Sequence, residues 1–297
     1  MQMLKKLVFV FYIFQICACA YLKADDTYWD AELVRMYVHN SDLQRRWALA
    51  FLASNLRHLN GDEKILDIGC GDGKITADVS KFIPQGHILG IDPSIPMLSW
   101  AQKQYSIVEY PNLTFHSGGF LEPNTSESFD VIISNCALQH CSDQLQAFKN
   151  LSKLLNPNGK LWIMVPALDN QAWKQARKIV QTSPKWVSYW KNIPPRKFLT
   201  IEEYRDLLNE VGLEIQRIER IQTQDPFLDR EEFLNFLLGT FTPAVPSDQA
   251  RDFYNEMIEE YIRLLPEAIN AEGVIEVRFG RIEIDAVHLS NFESTDK

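Results

Sequence analysis

Three glycines at alternate positions, Gly69, Gly71 and Gly73, separate the short apolar run Ile65 to Ile68 from a stretch that reads as a helix. Carboxylates surround them: Asp67 stands two residues before the first glycine, Asp72 inside the loop, and Asp92 at the end of a second apolar run, Ile88 to Ile91. Glycines at such a loop let the backbone turn tightly and approach a ligand more closely than a Cβ permits. The following helix would turn its free N–H groups toward the carboxyl end of the strand, where open α/β sheets take up cofactors. Asp92 lies about 20 residues beyond the last glycine, the spacing of an acid that bonds ribose hydroxyls. Residue types and spacing together point to a site for an adenosine derivative.

The glycine spacing narrows the choice. A dinucleotide fingerprint is G-x-G-x-x-G, and its third glycine would fall at Lys74; this chain has G-x-G-x-G instead. Asp67 and Asp72 at the loop would repel a pyrophosphate and suit an ammonium or sulfonium cation. S-adenosylmethionine carries both. A glycine turn also occurs in sheets that bind nothing, and it is Asp92 at its proper distance that weighs against that alternative.

The elements that must position these residues alternate. Strands are expected at 65–68, 87–91, 112–116, 129–134 and 160–165, with helices at about 74–82, 94–105 and 143–155 between them. Strands interleaved with helices define an α/β, doubly wound parallel sheet. Asn156-Pro157-Asn158-Gly159 is a turn cluster ending the helix before the fifth strand. Upstream, Trp29 to Leu59 is amphipathic and interrupted near Asn40-Ser41. Downstream come a helix from Ile201 to Val211, a strand from Leu213 to Ile221, helices at 229–239 and 247–264, and a final strand region from Val274 to Val287.

Between these halves, residues 168–200 carry Trp173, Trp186, Tyr189, Trp190 and Phe198 among Lys174, Arg177, Lys178, Lys185, Lys191, Arg196 and Lys197. The segment reads either as a basic, aromatic lid for an anionic acceptor or as a solvated helix face.

At 297 residues and 46% hydrophobic content the chain can bury one large α/β domain, and a net charge of −9 excludes a general nucleic-acid binder. Residues 1–22 stand apart. Lys5-Lys6 precede the apolar run Leu7 to Phe14, and Ala18-Cys19-Ala20 supplies small residues before Tyr21, the pattern of a secretory signal peptide and hence of export. A membrane span takes about 20 apolar residues, and Gln15 interrupts this run. The alternatives are a misassigned start, which goes with a cytoplasmic location, a short anchor, and a lipoprotein-type site at Cys19. Of five cysteines, Cys70, Cys136 and Cys141 fall outside the leader, which is neither a disulfide framework nor a zinc site.

The stretches ILDIGCGDGKIT, GIDPS with Met97, FDVIISNCALQH, LLNPNGKLWI and KFLTIEEYRDLLNEVGL make residues 28–290 resemble the seven-stranded S-adenosylmethionine-dependent methyltransferases. Within these the chain is similar to the carboxyl methyltransferases that act on trans-aconitate, malonyl carrier protein and juvenile hormone acid. The resemblance implies strand order 3-2-1-4-5-7-6 with the last strand antiparallel, a cofactor-binding core over about 60–166, and a helical cap and lid with the C-terminal half over 168–290. It also implies that Asp67, Gly69, Gly71 and Gly73 line the methionine part of the donor, that Asp92 holds the ribose, and that Asn135 stands beside the sulfonium. The expected acceptor is a small or carrier-bound, anionic molecule methylated on a carboxylate or another oxygen, with no nucleic acid and no metal involved. The alternative is an exported methyltransferase-like protein that binds without turnover.

Two positions depart from the relatives' pattern. Gly119 stands where they carry an acid for the adenine amino group, and His140 where they often carry tryptophan. His140 could orient a substrate carboxylate or serve as a base, or be an ordinary hydrogen-bonded histidine. Tyr37, Gln44 and Trp47 match an N-terminal cap that closes over the substrate, with packing the simpler reading for Trp47.

Overall fold

The computed structural model describes residues 31–167, 170–190, 198–241 and 245–289. The 1–22 leader, with Cys17 and Cys19, lies outside the described residues, as do Lys191, Arg196 and Lys197.

The described residues begin with two helices, α1 (Ala31–Asn40) and α2 (Asp42–Leu56). The alternating region follows as β1 (Lys64–Ile68), α3 (Lys74–Ser80), β2 (His87–Asp92), α4 (Ile95–Gln104), β3 (Leu113–Ser117), β4 (Phe129–Asn135), α5 (Gln144–Leu154) and β5 (Leu155–Ala167). Then come α6 (Gln171–Thr182), a single turn α7 (Val187–Trp190), α8 (Ile201–Glu210), β6 (Leu213–Phe227), α9 (Arg230–Thr240), α10 (Ser247–Leu264) and β7 (Ile275–His288). The strands form one seven-stranded sheet in the order β3-β2-β1-β4-β5-β7-β6. Pairing is parallel from β3 through β5, and β7 runs antiparallel to both β5 and β6.

The sheet is covered on both faces, so its central strands are apolar throughout and successive residues feed opposite cores. Ile65, Ile133, Trp162 and Met164 pack with the cap, whereas Leu66, Ile68, Ile132, Ile163 and Ile284 pack against α5 and α8. Asp143, Asn170, Thr200 and Asp229 each cap a helix by accepting a backbone N–H with the side chain, and at Thr200 the cap is reciprocated by Glu203.

Two elements exceed the sequence expectation. β5 begins at Leu155, because Phe129 pairs with Leu155 while Val131 pairs with Lys160. The Asn156–Gly159 turn is therefore a bulge carried on the strand, with Asn158 at φ +63°. β6 continues to Phe227, and its residues from Thr223 onward pair with Ile275 to Phe279, beyond the part of β7 that β5 covers. This two-stranded arm overhangs the carboxyl end of the sheet. Phe227 and Phe279 on the arm stack on Phe236, and Trp47 of α2 packs edge-on against Phe279 with ring centroids 5.2 Å apart. The arm thus props the cap over the strand ends.

The cap is continuous. Gly239 of α9 lies so close to α1 that a Cβ there would approach Met36 O to 2.8 Å, and Trp173 of α6 packs on Tyr261 of α10 and Phe233 of α9.

Candidate active site

The glycine loop is held from both sides. Gly69 and Cys70 N–H donate to Ile91 O at 2.8 and 3.1 Å, and Gly71 N–H donates to Asp92 Oδ2 at 2.9 Å. The other Asp92 oxygen accepts Ser94 N–H at 2.9 Å. Asp92 is half-buried, and each of its oxygens keeps a lone pair beyond these bonds. Gly69 has no substitute here: its φ is +79°, and a Cβ would sit 2.2 Å from the Ala137 Cβ, because the chain leaving β4 lies directly on the loop. Gly73, at φ +77°, starts α3 against the Phe115 ring.

Asp67 points back from β1 into the base of the loop and accepts the Thr76 hydroxyl at 2.7 Å. Burial pushes its carboxyl up to about 7, with the charge of Asp92 adding to the rise. Burial likewise raises Asp92 to about 6, against the two backbone N–H groups that lower it. Two buried carboxylates that resist ionising form a site that gains most from a cation.

Asp72, in contrast, serves the cap. Lys74 Nζ lies 3.3 Å from Asp72 Oδ2 and 3.6 Å from Asp42 Oδ1, and donates to Val38 O at 2.9 Å and Ser41 Oγ at 2.8 Å. Lys74 therefore ties α1 and α2 to the glycine loop. It also places Tyr37 against Gly71, where a Cβ would stand 3.9 Å from the ring. The Tyr37 phenol is held well above its ordinary range by burial and then by the charges of Asp72, Cys136 and Asp92.

β4 delivers Asn135 and Cys136 beside the loop. Asn135 is buried, and neither its Oδ1 nor its Nδ2 meets a partner. Cys136 sits at φ +53°, an uncommon conformation for a side-chain-bearing residue, fixed by its N–H donating to Met164 O at 2.8 Å. Burial pushes the Cys136 thiol up to about 12, and Arg281 pulls it back. In the turn that follows, Gln139 points inward: its Nε2 donates to Cys136 O at 2.6 Å, and its buried Oε1 has no partner. His140 is exposed on the outer side of the same turn.

Trp47, beyond its contact with Phe279, stands 5.9 Å from the Arg281 guanidinium, and its buried Nε1 has no partner. Gln44, one turn earlier on α2, likewise buries an unpartnered Oε1. Arg281 of β7 is buried and donates from Nε to Glu283 Oε1 at 2.8 Å, while Arg217 of β6 occupies the other Glu283 oxygen at 3.2 Å.

The basic 168–200 segment is mostly packed. Trp173 and Trp186 are buried, Trp186 Nε1 donates to Glu256 of α10 at 2.7 Å, and Lys185 pairs with the same carboxylate at 2.7 Å. Lys174 and Lys178 are exposed, and Arg177 turns inward over the Trp190 ring. Glu256 of α10 supplies the acid that balances Lys185.

These residues fit S-adenosylmethionine. Raised carboxylates suit its cationic methionine end, and the unused Asn135 amide supplies hydrogen bonding to the same region. At Gly119 a Cβ would meet nothing within 4 Å, so the position where relatives place an adenine-binding acid opens on space. Among the described residues, Arg281, Glu283 and Gln139 are the candidate site residues that sequence reasoning missed.

Sheet order, the glycine loop and the acid at the end of β2 are those of the S-adenosylmethionine-dependent methyltransferases. A family model described as a methyltransferase domain matches residues 59–220, and the chain belongs to that family. It is 26% identical over 253 residues to the trans-aconitate 2-methyltransferase of Escherichia coli (strain 55989 / EAEC), covering 84% of this chain and 96% of that one. Solved structures share the fold. The YcgJ protein from Bacillus subtilis superposes with a TM-score of 0.57 at 16% identity, covering 82% of this chain and 99% of its own. Haemonchus contortus phosphoethanolamine N-methyltransferase 2, solved with phosphomonomethylethanolamine and S-adenosylhomocysteine, gives 0.53 at 19% identity, covering 82% of this chain and 53% of its own. The chain is an enzyme, a methyltransferase whose donor is S-adenosylmethionine.

Proposed function

We propose that this methyltransferase forms methyl esters, transferring the methyl group to a carboxylate oxygen of a small or carrier-bound acceptor. The observation that carries the reading is that, among the described residues, the titratable side chains directly beside Asn135 hold their protons and the two raised loop carboxyls are bonded within the donor loop. Cys136 and Tyr37, the titratable groups that line that point, hold their protons at neutral pH. The loop carboxylates bond to Thr76, Gly71, Ser94 and Lys74, and the capacity left on Asp92 is assigned to the donor's ribose. His140 is exposed and is assigned to orienting the acceptor, not to removing a proton. An oxygen acceptor that meets no base must arrive already ionised, and a carboxylate does so at neutral pH. The trans-aconitate relative, similar over almost its whole length, supports the same reading.

S-adenosylmethionine supplies a methyl group already activated by the positive charge on its sulfur. The protein's task is then alignment and exclusion of water more than proton transfer. In this reading Asp92 binds the ribose, and Gly69, Gly71 and Gly73 let the backbone reach the donor. Asp67 holds the loop base acidic, and Asn135 orients the methionine end. Tyr37, clamped by Lys74, closes the cap over both substrates. His140 acts at the pocket mouth, orienting the incoming acceptor. Residues 1–22 serve as an export signal ahead of the enzyme, and an intact N-terminus on cytosolic protein, found by mass spectrometry, would contradict that.

Incubation with methyl-labelled donor and a metabolite extract tests the acceptor. Label released as methanol by mild alkali marks an ester and is the expected result. Label that survives alkali marks an ether or amine and overturns the proposal.

A further inference from the structure

Arg281 does something that a structural arginine does not. Its side chain is 9% exposed, yet among the described residues it makes one hydrogen bond, from Nε to Glu283, and its two terminal nitrogens meet no acceptor. Neither terminal nitrogen is among the buried atoms that lack a partner, so both open on space, and the free edge of the fork is available to a ligand. The strand register puts it at the rim of the active site. Arg281 lies opposite Pro166 on β5, two residues past Met164, which pairs with Asn135. Its charge is felt by the Cys136 thiol, and Trp47 from the cap lies over it. The neighbouring unused polar atoms, Trp47 Nε1, Gln44 Oε1 and the Asn135 amide, show hydrogen-bonding capacity in the same region that the protein leaves to a ligand.

The second layer explains why this arginine and not Arg217 faces the site. Glu283 is 4% exposed and takes Arg281 with one oxygen and Arg217 with the other. Arg217 spends Nη1 on Glu283 and on Glu219. Glu283 therefore grips Arg281 from the Nε side and leaves its Nη edge as the ligand-facing one.

We propose that Arg281, presented by Glu283, is the anion anchor of the acceptor pocket and binds a carboxylate of the acceptor through its terminal N–H groups. This rests on the carboxylate reading above and names the residue that selects for it. It also moves the anion-binding role from the basic 168–200 segment, whose Lys174 and Lys178 face solvent, to the rim of the sheet.

The test is calorimetric titration of trans-aconitate, succinate and octanoate into full-length protein saturated with S-adenosylhomocysteine. Arg281→Met should weaken binding of the preferred carboxylate about 10- to 100-fold, the range for hydrogen bonds to charged groups, and leave S-adenosylhomocysteine affinity unchanged. Arg281→Lys should restore part of the loss. Lys174→Glu with Lys178→Glu should change it less than twofold. Because Arg281→Met leaves Glu283 with one partner, Arg281→Met with Glu283→Gln removes the stranded charge and gives the same reading if the single variant fails to fold. Carboxylate binding undiminished in a folded Arg281 variant overturns the inference and leaves the methyl-ester reading standing. A wild-type protein that binds none of the three while labelling an acceptor in an alkali-stable form overturns both.

Discussion

The buried carboxylates of the donor loop make donor affinity depend on pH in a direction that can be worked out. Asp92, raised to about 6 by burial, is ionised at pH 7.5 and mostly protonated at pH 5. A cationic ligand bonded through its ribose to Asp92 selects the ionised form, so binding at pH 5 must first remove a proton. For one group titrating near 6, affinity falls roughly tenfold between pH 7.5 and 5, or about 1.4 kcal/mol. Asp67, raised to about 7 and coupled to Asp92, steepens the fall. Calorimetry in two buffers of different ionisation heat reads both quantities. The dissociation constant should rise about tenfold or more toward pH 5, with about half a proton released per donor bound near pH 6. Asp92→Asn should flatten the profile and lower affinity at pH 7.5, since its amide would face the Gly71 N–H with one acceptor fewer. An affinity that is flat from pH 7.5 to 5, or protons taken up on binding, would refute the argument that the loop is built for a cation.

Three further outcomes follow from the same geometry. The two raised carboxyls bind more protons in the folded than in the unfolded chain, so ligand-free stability should fall as pH rises from about 4 through 7, opposite in sign to donor binding; melting temperatures of wild type and Asp67→Asn across that window check it. Gly69→Ala adds a Cβ 2.2 Å from that of Ala137 at a positive φ and should cost about 2–5 kcal/mol in a denaturant melt, with donor binding lost. Lys74→Met strands the buried Asp72 and unties α1 and α2, so the melt should lose about 2–3 kcal/mol, and protease should cut within 31–56 first.

The donor half of the site is legible in the sequence because it is local. Gly69, Gly71, Gly73 and Asp92 sit within one strand–helix–strand unit, and every structural demand on them, a positive φ, a close approach, an acid at the strand end, is written in residue type. The strand order and the antiparallel last strand likewise follow from the motif resemblance, and the β1–β4 register runs to Asp67 and Ile133, two residues before Asn135. The acceptor half is assembled from parts of the chain far apart in sequence: Tyr37 and Trp47 on the cap, Gln139 after β4, Arg281 near the C-terminus. Residue type misleads there. In Ile275–His288, Glu276 and Arg278 lie on the exposed arm, whereas Arg281 and Glu283 lie where the same strand enters a sheet covered on both faces. A charged residue reads the same in both places, and only the register with β5 separates them.

The 168–200 segment shows how charge read along the chain differs from charge in the fold. Its run of lysines and arginines without an acid looks uncompensated in one dimension. In three, Glu256 sits between Lys185 and Trp186, and the tryptophans that seemed free to close on a ligand fill the interface between α6 and α10. A cation is available to a ligand when the fold holds its stem and leaves its terminal donors unmet, and by that measure one largely buried arginine outweighs several lysines in open water. The same measure makes Lys74 structural despite its place in the donor loop: its ammonium is spent on Val38, Ser41 and Asp72. Arg281 and Lys74 thus take opposite roles at one site, the first kept open by a carboxylate on its far side and the second closed by partners all around it.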